Sequence, residues 1–314
     1  MPTENFPPAY LKTFEEGLFP DRVNKAHHML EACSICPREC GVDRTHDESG
    51  FCKAGYLPEV SSHAPHFGEE SPLVGQHGSG TIFFAHCNLG CLFCQNYSIS
   101  HIGNGSKIST LQLAKVMVGL QRRGCHNINF VSPTHFVPQI LKALPQAIEM
   151  GLSVPLVYNT GGYDSAETLR LLDGIFDIYM PDFKFSQGEI SDKYSQAPDY
   201  PRIAKGALKE MFRQVGDLQI DLDGIAFRGL LVRHLVLPDN LAGTKDVMRF
   251  LAEEISKNTY VNLMDQYHPC GNIPLDSPLC RRVTSEEFSH AIAIAEEEGI
   301  NRLDKRDKLR LVWF

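Results

Sequence analysis

The chain has 314 residues, enough for one large domain or two ordinary ones, with 43% apolar and 22% charged residues, as expected of a globular protein with a real core. A formal charge of −8 argues against a nucleic-acid footprint, which should be basic. No stretch reaches the roughly 18 consecutive apolar residues of a membrane span. The start, "MPTENFPPAYLKTFEEG", shows no charged segment followed by an apolar one, so no signal peptide and a cytoplasmic location are expected. Ten cysteines in such a chain suggest metal ligands more than disulfides.

Residues 1–75 are rich in Pro, His and acidic side chains, with little periodicity, and read as a loop-rich extension. Within it, "CSICPRECGVDRTHDESGFC" spaces Cys33, Cys36, Cys40 and Cys52 as a metal-binding knuckle, with Pro37, Gly41 and Gly50 between them. Four thiolates would close a site around zinc or a fully ligated [4Fe–4S] cluster.

From residue 76 to 314 short apolar runs alternate with amphipathic stretches. Strands are predicted at 81–86, 127–132, 154–159, 176–182, 227–237 and 259–265. Helix starts lie between them: Ser109 with Gln112, Asp164 with Glu167, and Thr284 with Glu287; Gly124 and Gly299 mark two ends. Strand–helix alternation with runs apolar on both faces implies a parallel sheet. Six units are too few for a closed eight-fold barrel. The expected fold is therefore α/β, a partial (β/α)6 TIM-type barrel with a cysteine-containing amino-terminal extension. In such barrels chemistry gathers at the C-terminal ends of strands.

Directly after the first strand stands "FAHCNLGCLFCQN", with Cys87, Cys91 and Cys94 spaced C-x3-C-x2-C. Three thiolates on a four-iron cluster leave one iron open, the mark of a catalytic site. The alternative is a structural zinc site that recruits His86 or His101, although such sites favour two C-x2–4-C arms. Cys125, Cys270 and Cys280 look unpaired; the last two flank a loop after the sixth strand.

The C-x3-C-x2-C loop, with Phe93 before its last cysteine, resembles the signature of the radical S-adenosylmethionine (SAM) superfamily. From about residue 33 to 290 the chain is similar to the PflX-like branch, which itself resembles the pyruvate formate-lyase activating enzymes. The segments "GSGTIFFAHCNLGCLFCQNYSIS", "HNINFVSPTH", "YNTGGY", "YMPDFKF" and "VRHLVLP" carry the resemblance. It implies an oxidoreductase in which SAM chelates the open iron of a [4Fe–4S] cluster. An electron from a donor such as flavodoxin or ferredoxin then cleaves SAM to a 5′-deoxyadenosyl radical that abstracts hydrogen from a protein or peptide. A small-molecule substrate and a non-catalytic zinc-stabilised binding protein remain the alternatives.

Several positions at strand ends take on roles through this resemblance. Phe93 would lie beside adenine. Ser132 and Thr134 stand where the activating enzymes carry a Gly-Gly-Glu motif that receives the SAM amino group. Asn159, Thr160, Met180, Asp182 and Lys184 match positions near the SAM carboxylate and a monovalent cation, Arg233 matches a carboxylate-binding arginine, and His268 a histidine near the ribose. Strand alternation by itself places Met180, Asp182 and Lys184 on one face, and only one of Arg233 and His234 inward. An Asp182–Lys184 bridge of purely structural kind is the competing reading.

Overall fold

The computed structural model describes residues 6–304. Its strands, in chain order, are β1 (Glu59–His66), β2 (Ser79–Phe84), β3 (Ser106–Lys107), β4 (Ile128–Val131), β5 (Leu156–Thr160), β6 (Ile178–Pro181), β7 (Gln219–Ile220), β8 (Ala226–Leu235), β9 (Tyr260–Met264) and β10 (Arg302–Leu303). The sheet order is β10-β9-β8-β6-β5-β4-β2-β1-β3, with β7 appended to β8. Along this order the neighbours from β2 to β10 pair in parallel, whereas β1 is antiparallel to both β2 and β3, and the appended β7 is antiparallel to β8. The six expected strands are thus present, in chain order, as β2, β4, β5, β6, β8 and β9. No ladder joins β10 to β3 among the described residues, so this is a partial barrel left open by hydrogen bonding.

Parallel strands between helices must be apolar on both faces, which is why their runs are nearly continuous. Tyr158, Tyr179, Leu230 and Val232 point outward to the helices. Val157, Ile178, Met180 and Leu231 form a separate inner cluster with Leu73, from the short helix Ser71–Val74. Helix Val137–Glu149 buries Val137, Ile140, Leu141 and Leu144, the i, i+3, i+4, i+7 stripe of a helix laid on a sheet. Helix Tyr200–Val215 does the same with Ala204, Ala207, Leu208 and Met211.

Two capping boxes form as expected: Ser109 with Gln112 on helix Thr110–Arg122, and Thr284 with Glu287 on helix Ser285–Glu297. Gly124 and Gly299 follow those helices with φ of +89° each. Asp164 departs from expectation. The helix starts at Ala166 after Ser165, and the Asp164 carboxylate turns into the core, where Thr134, Tyr158 and Thr160 donate to it.

The amino-terminal region is more regular than a loop-rich extension. Helices Ala9–Glu15 and Phe19–Glu31 and strand β1 lie within it. The Ala9 amide donates to Asp177, the Tyr10 hydroxyl to the Val154 carbonyl and the Thr13 hydroxyl to the Gly174 carbonyl, tying the first helix to the segments that enter β5 and β6. β1 pairs with β2 along its length, so the region from 59 onward shares the barrel's sheet.

Candidate active site

The C-terminal ends of β2, β4, β5, β6, β8 and β9 surround a cavity of about 410 Å³. Cys87, Cys91, Phe93 and Cys94 line it, as do Ser132, Asn159, Thr160, Asp182, Lys184 and Arg233. The chain leaves β2 through His86, whose φ of +70° turns the backbone into the cysteine loop; Ser132, at the end of β4, takes +55°. A left-handed conformation at non-glycine residues costs on the order of 1–3 kcal/mol. Here the two cases flank the cavity.

Each cysteine of this loop has a nearby donor. The Ser195 hydroxyl lies 3.0 Å from Cys91 Sγ, the Ser100 hydroxyl 3.1 Å from Cys94 Sγ, and the Leu89 amide 3.4 Å from Cys87 Sγ. Burial pushes the Cys87 thiol up to about 12, with Cys91 adding to it, and burial also raises Cys91. The Lys184 ammonium acts in the other direction on both, as do the Leu89 amide on Cys87 and the Ser195 hydroxyl on Cys91, and these are the groups that favour thiolate. No three His, Cys, Asp or Glu side chains among the described residues converge as ligands of one metal ion.

The same cavity is lined by a network of charged side chains. Asp182 accepts from Arg233 Nε at 2.7 Å and from Lys184 Nζ at 2.5 Å. Arg233 also donates to Asn159 Oδ1 at 2.7 Å, and Glu69 stands 3.8 Å from it. Burial alone would raise the Asp182 pKa, but Arg233 and Lys184 outweigh it and hold the carboxyl below its ordinary value. The converse applies to Lys184 and Arg233, which burial would lower and Asp182 holds high. Arg233 therefore faces the cavity. Its neighbour His234 faces outward, between the Phe183 carbonyl at 2.6 Å and Thr244 Oγ1 at 3.0 Å. Tyr200 braces the network from behind: its hydroxyl accepts from the Lys184 amide and lies 2.9 Å from the Gly161 and Asp182 carbonyls.

Three expected residues stand away from the cavity wall. Met180 lies one inward step before Asp182 and is fully buried in the inner apolar cluster. Thr134 is buried with its hydroxyl 2.7 Å from Asp164, and Thr160, though it lines the cavity, also gives its hydroxyl to Asp164. His268 is half-buried, and its nearest polar partner is the carbonyl of Gln266, 3.4 Å away. The segment after β9 does reach the cysteine loop, because Asn272 donates to the Leu92 carbonyl at 2.7 Å. Cys270 donates to the Phe93 carbonyl there, at 3.2 Å.

No family model matches this sequence. The uncharacterized protein MJ0674 of Methanocaldococcus jannaschii is 31% identical over 310 residues, which cover 95% of this chain and 84% of that protein. The chain belongs to the MJ0674 family. Among solved structures, HydG, a maturase of the [FeFe]-hydrogenase, superposes with a TM-score of 0.49 at 12% identity, covering 70% of this chain and 49% of HydG. Methylornithine synthase (PylB) gives a TM-score of 0.40 at 13% identity, covering 71% of this chain and 70% of PylB. The chain thus spans about half the length of HydG.

In this member of the MJ0674 family the cavity also draws on residues that sequence reasoning missed. Glu69 and His66 line its mouth. Glu70, 1% exposed, accepts from Asn262 at 2.7 Å, and burial raises its pKa. The adjacent acidic pair in "FGEESP" was the available signal, but such a pair ordinarily marks a solvated turn. Ser195 and Ser100 gave none, since a hydroxyl that reaches a sulfur depends on tertiary placement.

Proposed function

We propose that this protein is a radical SAM enzyme of the activating-enzyme-like, PflX-like kind, which abstracts hydrogen from a protein or peptide. One observation carries the reading: three cysteines spaced C-x3-C-x2-C and the Asp182–Arg233–Lys184 network line a single cavity. Cys87, Cys91 and Cys94 would hold a [4Fe–4S] cluster. When bound, that cluster supplies the open iron and the electron with which SAM is split into methionine and a 5′-deoxyadenosyl radical.

The chain's own residues bind and orient. Arg233 and Lys184 present cations to a ligand carboxylate, each already set in direction by Asp182, so little ordering remains to be done on binding. Asn159 fixes the Arg233 fork, and Ser132 and the backbone at the end of β4 offer acceptors to an ammonium. Phe93 is held edge-on by Phe185 and Tyr267, at 5.9 and 6.2 Å between ring centroids, and forms an apolar wall for a flat base. Asp182 and the carbonyls around it are the site for a monovalent cation. A cavity of this size takes about one drug-sized molecule. With SAM inside, a second reactant approaches through the mouth, which suits an inserted chain segment better than an enclosed metabolite.

The test is anaerobic incubation of the reconstituted protein with SAM and dithionite. Methionine and 5′-deoxyadenosine are expected from the wild type and neither from Cys87→Ala/Cys91→Ala/Cys94→Ala. Cleavage that persists in the triple variant, or fails in iron-loaded wild type, refutes the assignment. Stimulation of 5′-deoxyadenosine formation by the macromolecular fraction of an extract, and not by its filtrate, separates a protein substrate from a small one.

A further inference from the structure

We propose that Cys33, Cys36, Cys40 and Cys52 hold a second, fully ligated [4Fe–4S] cluster, whose negative charge is the counterion of the buried Arg44 guanidinium. This centre lies outside the cavity above and does not depend on its chemistry.

The four cysteines line one small cavity together with Arg38, Arg44, Gly50 and His135. Local geometry brings them there. The Cys33 amide donates to the Val42 carbonyl and the Gly41 amide to that of Cys33, folding the first three cysteines around a tight turn. Gly41 takes φ +67° and Lys53 +62°, reversing the chain beside Cys40 and Cys52. At Gly50 a Cβ would fall 2.6 Å from both Cβ and Sγ of Cys40, so the return strand passes this close only because residue 50 lacks a side chain.

Charge supplies the main argument. Arg44 is 1% exposed and gives its donors to the Gly55 carbonyl, at 2.8 and 3.2 Å, and to the His135 carbonyl at 2.8 Å. No carboxylate pairs with it among the described residues. A buried cation satisfied only by neutral carbonyls is costly, and natural proteins place an anion beside it. The nearest candidates are the thiols: Cys33 Sγ is 4.0 Å from Nη1. One sulfur also has a backbone donor, the Phe51 amide at 3.4 Å from Cys40 Sγ. Left as neutral thiols, these four would face a lone guanidinium with nothing to balance it.

A separate observation comes from His135. It is 1% exposed, its Nε2 donates to the Ala85 carbonyl at 2.9 Å, and its Nδ1 is left buried without a partner. A carbonyl only accepts, so Nδ1 carries a bare lone pair beside this cavity. A buried acceptor of this kind calls for a donor such as a trapped water, so it marks unfilled space at this wall and does not itself distinguish one metal centre from another.

Four thiolates suit zinc or a cluster, and the spacing favours the cluster. Structural zinc sites pair two short arms of two ligands each, whereas three close cysteines and one distant one is an iron–sulfur arrangement. Cys33-x2-Cys36-x3-Cys40 followed by Cys52 after eleven residues is of the second kind. Arg38 fastens the knuckle to the catalytic loop: its Nε donates to the Asn88 carbonyl at 3.0 Å, and its Nη1 to that of Gln196.

Anaerobically reconstituted protein is analysed for iron, sulfide and zinc, and its reduced form by electron paramagnetic resonance with and without SAM. The wild type should hold about eight irons, and Cys87→Ala/Cys91→Ala/Cys94→Ala about four, with a signal that SAM does not perturb. Cys33→Ser/Cys36→Ser/Cys40→Ser/Cys52→Ser should lose that signal and keep the SAM-sensitive one. About one zinc per chain in the triple variant, or no metal, overturns the proposal. So does a wild type with four irons that all respond to SAM, a measurement that stands even if the quadruple variant fails to fold. Four SAM-insensitive irons in the wild type would instead sustain this centre and count against the catalytic one.

Discussion

Replacing Asp182 by Asn keeps the shape of the side chain and removes its charge. In the folded protein the carboxylate is the shared counterion of Arg233 at 2.7 Å and Lys184 at 2.5 Å, with side-chain exposures of 14%, 18% and 20%. Removing one member of a buried pair costs on the order of 3–5 kcal/mol, because the partner is left uncompensated. Partial exposure places this case at the lower end, about 3 kcal/mol, and for a chain of this size a melting temperature lower by roughly 4–5 °C. If the network also orients a bound aminocarboxylate, SAM affinity should fall by at least ~10-fold, equivalent to about 1.4 kcal/mol. Thermal melts and equilibrium dialysis on one anaerobic preparation read both quantities. A lowered melting temperature with unchanged SAM affinity would show a bridge that is structural only. An unchanged melting temperature would refute the electrostatic reasoning itself. The same pairs fix the direction with pH: the folded carboxyl titrates below its unfolded value, so its contribution is complete above about pH 4 and is lost as pH falls through the lower, folded value.

Burial lowers His234 to about 4, so unfolded protein binds an extra proton below about pH 6.5 and stability falls from there towards pH 4. In urea titrations His234→Gln should reduce the stability lost between pH 7 and pH 5 by about 2 kcal/mol; an unchanged loss would show that the imidazole is not held neutral. At Gly162, φ is +79° and a Cβ would lie 2.2 Å from the Asp182 carbonyl oxygen, whereas Gly151, at +92°, has nothing within 4 Å. Gly151→Ala should cost about 1 kcal/mol from backbone strain alone, and Gly162→Ala at least ~2 kcal/mol more. Equal melting temperatures for the two variants would contradict the clash.

The barrel was legible because parallel strands bury both faces, and runs such as "TIFFAH" and "VPLVYN" have few other uses. The capping boxes were legible because their chemistry is local. β1 was hidden, since "EVSSHAPH" buries only Val60 and carries a proline, so its pairing is decided by β2 and not by its own pattern. β10, two residues long, gave no signal. In the site, the inward turn of Arg233 followed from alternation only as one of two choices. Asp164 was misread as a cap because a short acidic side chain before a helix usually serves as one. Its burial beneath Thr134 and Thr160 redirects two hydroxyls that the resemblance assigned to a ligand. Glu69, Glu70 and Arg44 show the general difficulty: a charged residue in a loop looks solvated until the fold encloses it.

An open barrel keeps two edges that a closed one abolishes, and an unpaired strand edge invites another chain to add itself. β1 is the long strand nearest one such edge. β3 covers it only at Glu59 and Val60, which leaves the stretch towards His66 without a partner on that side among the described residues. This stretch is built to be a poor template. Pro65 lacks the amide that an incoming strand would need, and the exposed Ser62, His63 and Ala64 offer no apolar stripe to align it. The residues that concealed β1 from sequence reading are therefore those that make this edge of an incompletely closed sheet a poor template, where a Val- or Ile-rich strand would recruit a neighbour.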